Sequence, residues 1–248
     1  MNLEERLYLQ ACAKDAHTFI FGMEKPNGEH IQFLYTKDEH NLEATQPFPD
    51  FEYLRVLVDL FLVGGRFIKP REAKWALKWG LPAKHIEDTY RTGLLAIEKS
   101  RQLMVTWVCL AYALWRAKFH EHQLILVQSK REDDAQSLVC KKKDELDASR
   151  LTFMEFHLPL YMRNVRRASM SKCNVYFETG SRVWGIPQGG SIIRSNTSSL
   201  LISDEAAFQP EFGEAYRAAL PAVRGGGQAI FVSSAEVGDF QALVEGVG

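Results

Sequence analysis

Apolar positions along this chain follow one pattern before residue 93 and another after it. Upstream, Leu3 to Ala13 reads as a short helix. Pro26-Asn27-Gly28 is a turn signal between Phe19-Ile20-Phe21 and Ile31-Gln32-Phe33-Leu34-Tyr35, which predicts a hairpin. Asp50 stands where it would cap a helix whose apolar residues Tyr53, Leu54, Val56, Leu57, Leu60 and Phe61 recur at helical spacing, with Gly64-Gly65 as its stop. The charged stretch Pro70 to Ile86 reads as a surface helix and connector. Its Trp75 and Trp79 are expected to pack against core or interface rather than to stack on bases.

From Gly93 onward, strand and helix signals alternate, as in a parallel α/β sheet. Leu94 to Ile97 predicts a strand, and Val105 to Phe119 a helix burying Trp107, Leu110, Ala111, Leu114 and Trp115. Gln123 to Ser129 is a clear strand leading into a charged helix from Arg131 to about Ala148, which carries Lys141-Lys142-Lys143. Asn174 to Thr179 and Ser181 to Ile186 form a hairpin about Gly180-Ser181. Leu200 to Ser203 is a buried strand ending in Asp204-Glu205, and Gln228 to Ser233 is another, followed by Ser234-Ala235.

Composition narrows the class without naming a chemistry. The chain has 248 residues, 46% hydrophobic and 25% charged, which suits a globular protein and excludes disordered or fibrous ones. Net charge is −1, so any grip on a phosphate backbone must come from a local basic face. Cys12, Cys109, Cys140 and Cys173 form no C-x-x-C pair, which argues against a zinc ribbon and fits a reduced compartment. The N-terminus lacks the basic-then-apolar pattern of a signal peptide, and the longest apolar stretch is too short for a bilayer; no membrane partner is expected.

Candidate chemistry begins where the first strand of the alternating region ends. Leu94 to Ile97 empties into Lys99-Ser100-Arg101-Gln102-Leu103-Met104-Val105-Thr106 and then a helix, a layout whose first amides and dipole favour an anion. A standard phosphate loop, G-x-x-x-x-G-K-[ST], laid on Thr106 has Lys99, Met104 and Val105 in place of Gly, Gly and Lys. Two readings follow. One is a buried strand and helix joined by a polar turn. The other is a phosphate loop whose cation has moved to the front as Lys99, with Arg101 adding a planar donor fork. If position 104 requires positive φ, methionine there is strained.

Leu200-Leu201-Ile202-Ser203-Asp204-Glu205 has the Walker B pattern, in which the first acid holds magnesium and the second activates water. A helix cap is the alternative reading of the same pair. Ser233-Ser234-Ala235 either senses a γ-phosphate or makes a turn.

Taken together, Lys99 to Trp107, Leu200 to Glu205 and Phe231 to Ala235 resemble the N-terminal ATPase domain of the large terminase subunit of tailed bacteriophages. Gly185-Ile186-Pro187-Gln188-Gly189 to Arg194 resembles that family's hairpin before Walker B. The resemblance implies an α/β fold, a RecA-like (ASCE) P-loop ATPase whose parallel sheet is flanked by helices. It implies an accessory or lid region over residues 1–90, an ATPase core over 91–248, and no nuclease domain or activity in this stretch. By position it assigns Lys99 and Arg101, with Glu205, to catalysis, and Lys99, Ser100, Arg101, Gln102, Leu103, Met104, Val105 and Thr106 to nucleotide. Thr106 and Asp204 would hold Mg2+, and Ser233, Ser234 and Ala235 would couple hydrolysis to movement.

The implied function is Mg-dependent ATP hydrolysis driving double-stranded DNA into a procapsid in the host cell cytoplasm. Implied partners are double-stranded DNA, a portal protein and a small terminase subunit, with a homo-oligomeric ring (a pentamer) when assembled and a monomer in isolation. A neighbouring subunit's arginine would complete the site, with Arg163, Arg166, Arg167 and Arg194 as candidates. Lys141 to Lys143 would face either the duplex or solvent. The alternatives are a superfamily-2-type helicase or remodeller, and a nucleotide-insensitive scaffold or DNA-binding module with a degenerate loop.

Overall fold

A computed structural model describes residues 1–37, 44–101, 103–141 and 149–246, apart from the side chain of Met170. The chain opens with helices α1 (Leu3–Lys14) and α2 (Ala16–Phe21). Phe19, Ile20 and Phe21, expected in a hairpin strand, are helical, because the Asp15 carboxylate accepts from the amides of His17 and Thr18 and starts a helix there. The hairpin about Asn27-Gly28 is shifted and short, pairing β1 (Met23–Glu24) with β2 (His30–Ile31), with Gly28 at φ +82°. A second small ribbon joins β3 (Tyr35–Lys37) to β4 (Thr45–Pro47).

Helix α3 (Glu52–Gly64) runs as its apolar spacing predicts, but Asp50 does not cap it. Phe51 is the cap residue, and Asp50 instead takes a two-pronged hydrogen bond from Arg55. The stretch expected as one surface helix breaks into a 3-10 turn, α4 (Lys74–Lys78) and the start of α5 (Ala83–Thr92). The reason is Asp59, buried on α3, which accepts from the amides of Trp75 and Ala76 at 2.6 and 3.1 Å and fixes a new helix start. Trp75 carries Arg55 and Lys78 on its ring, whereas Trp79 is 53% exposed.

Then come β5 (Leu94–Glu98), α6 (Val105–Phe119), β6 (Leu124–Gln128), α7 (Glu132–Leu138) and α8 (Arg150–His157). Helix α7 ends at Leu138, well before the expected Ala148; residues 142–148, including Lys142 and Lys143, lie outside the described residues. Strands β7 (Val165–Ser169), β8 (Asn174–Phe177) and β9 (Arg182–Ile186) follow, and β8–β9 is the expected hairpin. The stretch Gly185 to Arg194 is not a hairpin. It is the end of β9, a loop and the one-turn helix α9 (Ser191–Arg194), with Gln128 Nε2 donating to the carbonyls of Pro187 and Gly189. The chain closes with β10 (Leu200–Asp204), α10 (Phe212–Arg224), β11 (Gln228–Ser233) and α11 (Asp239–Glu245).

The main sheet has the order β5-β11-β10-β6-β9-β8-β7, parallel from β5 to β9 and antiparallel beyond. Alternate residues feed two cores. Ile125, Val127, Ile202 and Val232 face α6 and the N-terminal helices, whereas Leu126, Leu201, Ala229 and Phe231 face α10 and α11. Both faces are therefore apolar, as a parallel sheet requires. Helix α6 is buried nearly all round, and Tyr112 and Trp115 are among its largest fully enclosed side chains. Each such side chain contributes about 1.5–3 kcal/mol from burial. Cys12, Phe19 and Phe61 share that core, and Trp115 Nε1 donates to the Cys12 carbonyl at 2.8 Å.

Candidate active site

Because β5, β11, β10 and β6 run parallel, their carboxyl ends open on one edge of the sheet, where open α/β sheets bind ligands. There a cleft of about 930 Å³ is lined by Lys99, Arg101, Leu103, Met104, Val105 and Thr106 from the loop and helix after β5. Asp204 and Glu205 line it at the end of β10 and Ser234 just beyond β11. Residues a hundred positions apart in sequence thus meet. Gln102 lies outside the described residues, Ser100 is exposed, Ser233 is buried beside the cleft, and Ala235 is exposed.

Two contacts tie the loop to the acidic strand. Thr106 Oγ1 donates to Asp204 Oδ1 at 2.9 Å, and Lys99 Nζ lies 3.2 Å from Glu205 Oε1. The Lys99 side chain is 9% exposed and that of Glu205 39%, so the lysine is seated and the carboxylate faces the opening. The strand between them joins both. The Lys99 amide donates to the Ser233 carbonyl at 2.9 Å, and Ser233 Oγ accepts from the Ala207 amide at 3.1 Å. Gln209 Nε2 donates to the Asp204 carbonyl at 2.8 Å and holds the end of β10.

Met104 is the cap residue of α6 at φ +54°, ψ +10°, with no side-chain acceptor for the first amides of the helix. This left-handed position, normally a glycine's, costs a methionine about 1–2 kcal/mol. Glu205 is left-handed too, at φ +51°. The turn immediately follows buried Asp204. Burial pushes the Asp204 carboxyl above its ordinary range, against the Thr106 hydrogen bond and the charges of Arg150 and Lys99; Glu205 adds to the rise.

The same cleft takes in groups that strand-by-strand reading passes over: Lys37, Ser129, Lys130, Asp134 and Arg150. Ser129 and Lys130 directly follow β6, so the edge rule that finds Asp204 would also find them. No periodicity marks Arg150 or Lys37. Five basic residues (Lys37, Lys99, Arg101, Lys130, Arg150) face three carboxylates (Asp134, Asp204, Glu205), a surplus suited to a polyanion. Arg163, Arg166, Arg167 and Arg194 do not line it; Arg194 pairs with Glu214, and Arg163 donates to the Leu158 carbonyl.

A hydroxyl and a carboxylate in contact are hard oxygen donors of the kind magnesium takes, one or two from protein and the rest from phosphates and water. Among the described residues, no group of three or more His, Cys, Asp or Glu side chains could hold an ion without such help.

The parallel order, with β11 between the loop strand and the acidic strand, is that of a RecA-like fold. That fold is similar to the crystal structure of the HK97 bacteriophage large terminase, with a TM-score of 0.58 and 13% identity over 94% of this chain and 42% of that one. The chain therefore spans less than half the length of the HK97 protein. Two structures of the Thermus phage P74-26 large terminase ATPase domain, one a point mutant, give TM-scores of 0.46 and 0.45 at 15% and 14% identity. Each covers 59% of this chain, and 61% and 62% of its own. No protein-family model and no curated protein sequence matches the chain.

Proposed function

We propose that the chain is the ATP-hydrolysing motor domain of a viral large terminase, translocating double-stranded DNA into a procapsid. The observation that carries this reading is the meeting of Lys99, Thr106, Asp204 and Glu205 in one cleft, joined pairwise at 3.2 and 2.9 Å. A polar turn between a buried strand and helix has no need of such partners.

On this reading the loop residues Lys99 to Thr106 bind nucleotide, with the first amides of α6 and the donors of Lys99 and Arg101 aimed at phosphate oxygens. Thr106 and Asp204 would hold Mg2+, which when bound neutralises charge on the β and γ phosphates. Lys99 exchanges its Glu205 partner for the γ-phosphate, and the released Glu205 carboxylate orients and polarises water as general base. The work is positioning and electrostatic stabilisation.

Ser233 supports a coupling role for Ser233-Ser234-Ala235. Its carbonyl takes the Lys99 amide and its hydroxyl the Ala207 amide, so a shift at the loop reaches the segment after the acidic strand. Residues 1–90 would act as the accessory region to a core of 91–248. The working assembly would be a ring, a pentamer, with a portal protein, a small terminase subunit and an arginine from the neighbouring copy. No helix of the described residues is long and apolar enough to cross a membrane, and the host cytoplasm is the proposed setting.

The test is phosphate release from ATP with Mg2+, with and without linear double-stranded DNA. The reading expects turnover that DNA raises and that Lys99→Ala abolishes. A rate unchanged in Lys99→Ala would contradict it.

A further inference from the structure

Of the two arginines that line the cleft, Arg101 belongs to the loop and Arg150 is left by the loop chemistry without a task. Arg150 occupies the first position of α8, 51 residues beyond the loop cation Lys99 in a different part of the chain, yet it lines the same cleft as Thr106, Asp204 and Glu205. Its guanidinium carbon sits 5.5 Å from the centroid of the Trp107 ring. That ring, on α6, is 4% exposed and packs edge-on against Phe153 of α8, 6.1 Å away. Phe153 in turn carries Lys37 Nζ 5.1 Å from its centroid, and Lys37 also lines the cleft. Two packed aromatic rings thus each hold a cation at the cleft wall.

Stacking fixes a guanidinium while leaving its five in-plane donors free, which is how arginine is presented to phosphate. Among the described residues no carboxylate forms an ion pair with Arg150, and its charge reaches the Asp204 carboxyl. A cation at the start of a helix is disfavoured by the dipole, and an anion there would relieve both. Trp107 directly follows Thr106, so the ring that holds Arg150 is tied to the hydroxyl beside Asp204.

We propose that Arg150, mounted on the face of Trp107, is a same-chain cation that contacts the terminal phosphate of a nucleoside triphosphate in this cleft. The inference rests on the reading of the cleft as a nucleotide site. Its specific content is that Arg150, delivered by α8 and not by the loop, distinguishes triphosphate from diphosphate.

The experiment is calorimetric titration of the full chain with the magnesium complexes of a non-hydrolysable ATP analogue and of ADP, for wild type, Arg150→Ala and Arg150→Lys. A lost charge-assisted contact corresponds to about a 10- to 100-fold weakening. Arg150→Ala is expected to lose about that much affinity for the triphosphate and less than about twofold for ADP. Arg150→Lys, which keeps the charge but loses the planar fork, should fall between. Equal losses for both nucleotides, or none for either, in a variant whose circular dichroism matches wild type would overturn the proposal and leave the nucleotide site standing. Should Arg150→Ala fail to fold, the triphosphate-to-ADP affinity ratio of Arg150→Lys decides in the same way, an unchanged ratio counting against the proposal. Wild type that binds neither nucleotide would sink the nucleotide site and this inference with it.

Discussion

Lys99 Nζ lies 3.2 Å from Glu205 Oε1, across 106 residues of sequence, with only β11 between the strands that deliver them. In this arrangement the cation that would meet a phosphate is engaged by the carboxylate that would activate water. Glu205→Gln should therefore separate two effects. Turnover is expected to fall by about 10²–10⁴ with loss of the general base. Affinity for the triphosphate should hold or rise, because Lys99 no longer has a charged partner to leave. Steady-state rates beside equilibrium binding check this, and a variant that still hydrolyses ATP normally would remove Glu205 from the chemistry.

Met104 offers a test of the loop's backbone that needs no ligand. Both Met104→Ala and Met104→Gly remove the same buried side chain, but only glycine is at ease at φ +54°. The glycine variant should be the more stable by about 1 kcal/mol, the reverse of their usual order in a helical segment. Urea midpoints of the two variants measure this directly.

Away from the cleft, Lys118 Nζ donates to Glu155 Oε2 at 2.7 Å and to Asn164 Oδ1 at 2.8 Å, joining α6 to α8 in nearly dry surroundings. Burial pulls the Lys118 ammonium below its usual range despite the Glu155 charge. Lys118→Met would strand a buried carboxylate and should cost about 3–5 kcal/mol, whereas the double change with Glu155→Met should recover most of that. A double-mutant cycle by denaturant unfolding reads the difference.

The Asp204 carboxyl is held above its ordinary range by burial, which fixes the sign of a pH effect on stability. A raised folded-state value means that the contribution to stability is present below the unfolded value and is lost as pH rises through the folded one. Asp204→Asn, which keeps the size and an acceptor for Thr106, should melt higher than wild type at pH 7–8, with the gap closing toward pH 4. A constant gap across that range would assign the effect to packing.

The elements that carry the cleft were the legible ones. The apolar runs Leu200–Asp204 and Gln228–Ser233 are buried on both faces, the edge run Leu94–Glu98 is half-buried, and all three stop where polar residues reach the sheet edge, so run and site are read together. What escaped depended on contacts distant in sequence or on local chemistry competing with pattern. Phe19-Ile20-Phe21 looks like strand until the Asp15 carboxylate is counted as a cap. The break in the charged stretch after Pro70 is imposed by Asp59 from another helix. Strand β7, with Arg166 and Arg167, is an exposed edge and lacks the apolar alternation of a half-buried one. Arg150 is a site residue only because Trp107 and Phe153 bring α8 to the loop, a juxtaposition no spacing encodes.

The central claim is that this cleft takes a magnesium–nucleotide complex through Lys99, Thr106 and Asp204. The measurement that meets it most directly is titration of the full chain with the magnesium complex of a non-hydrolysable ATP analogue, repeated on Lys99→Ala and Thr106→Ala. The account predicts saturable binding at one nucleotide per chain that either substitution weakens by about tenfold or more. Absence of saturable binding at millimolar nucleotide, or binding indifferent to both substitutions, would contradict it.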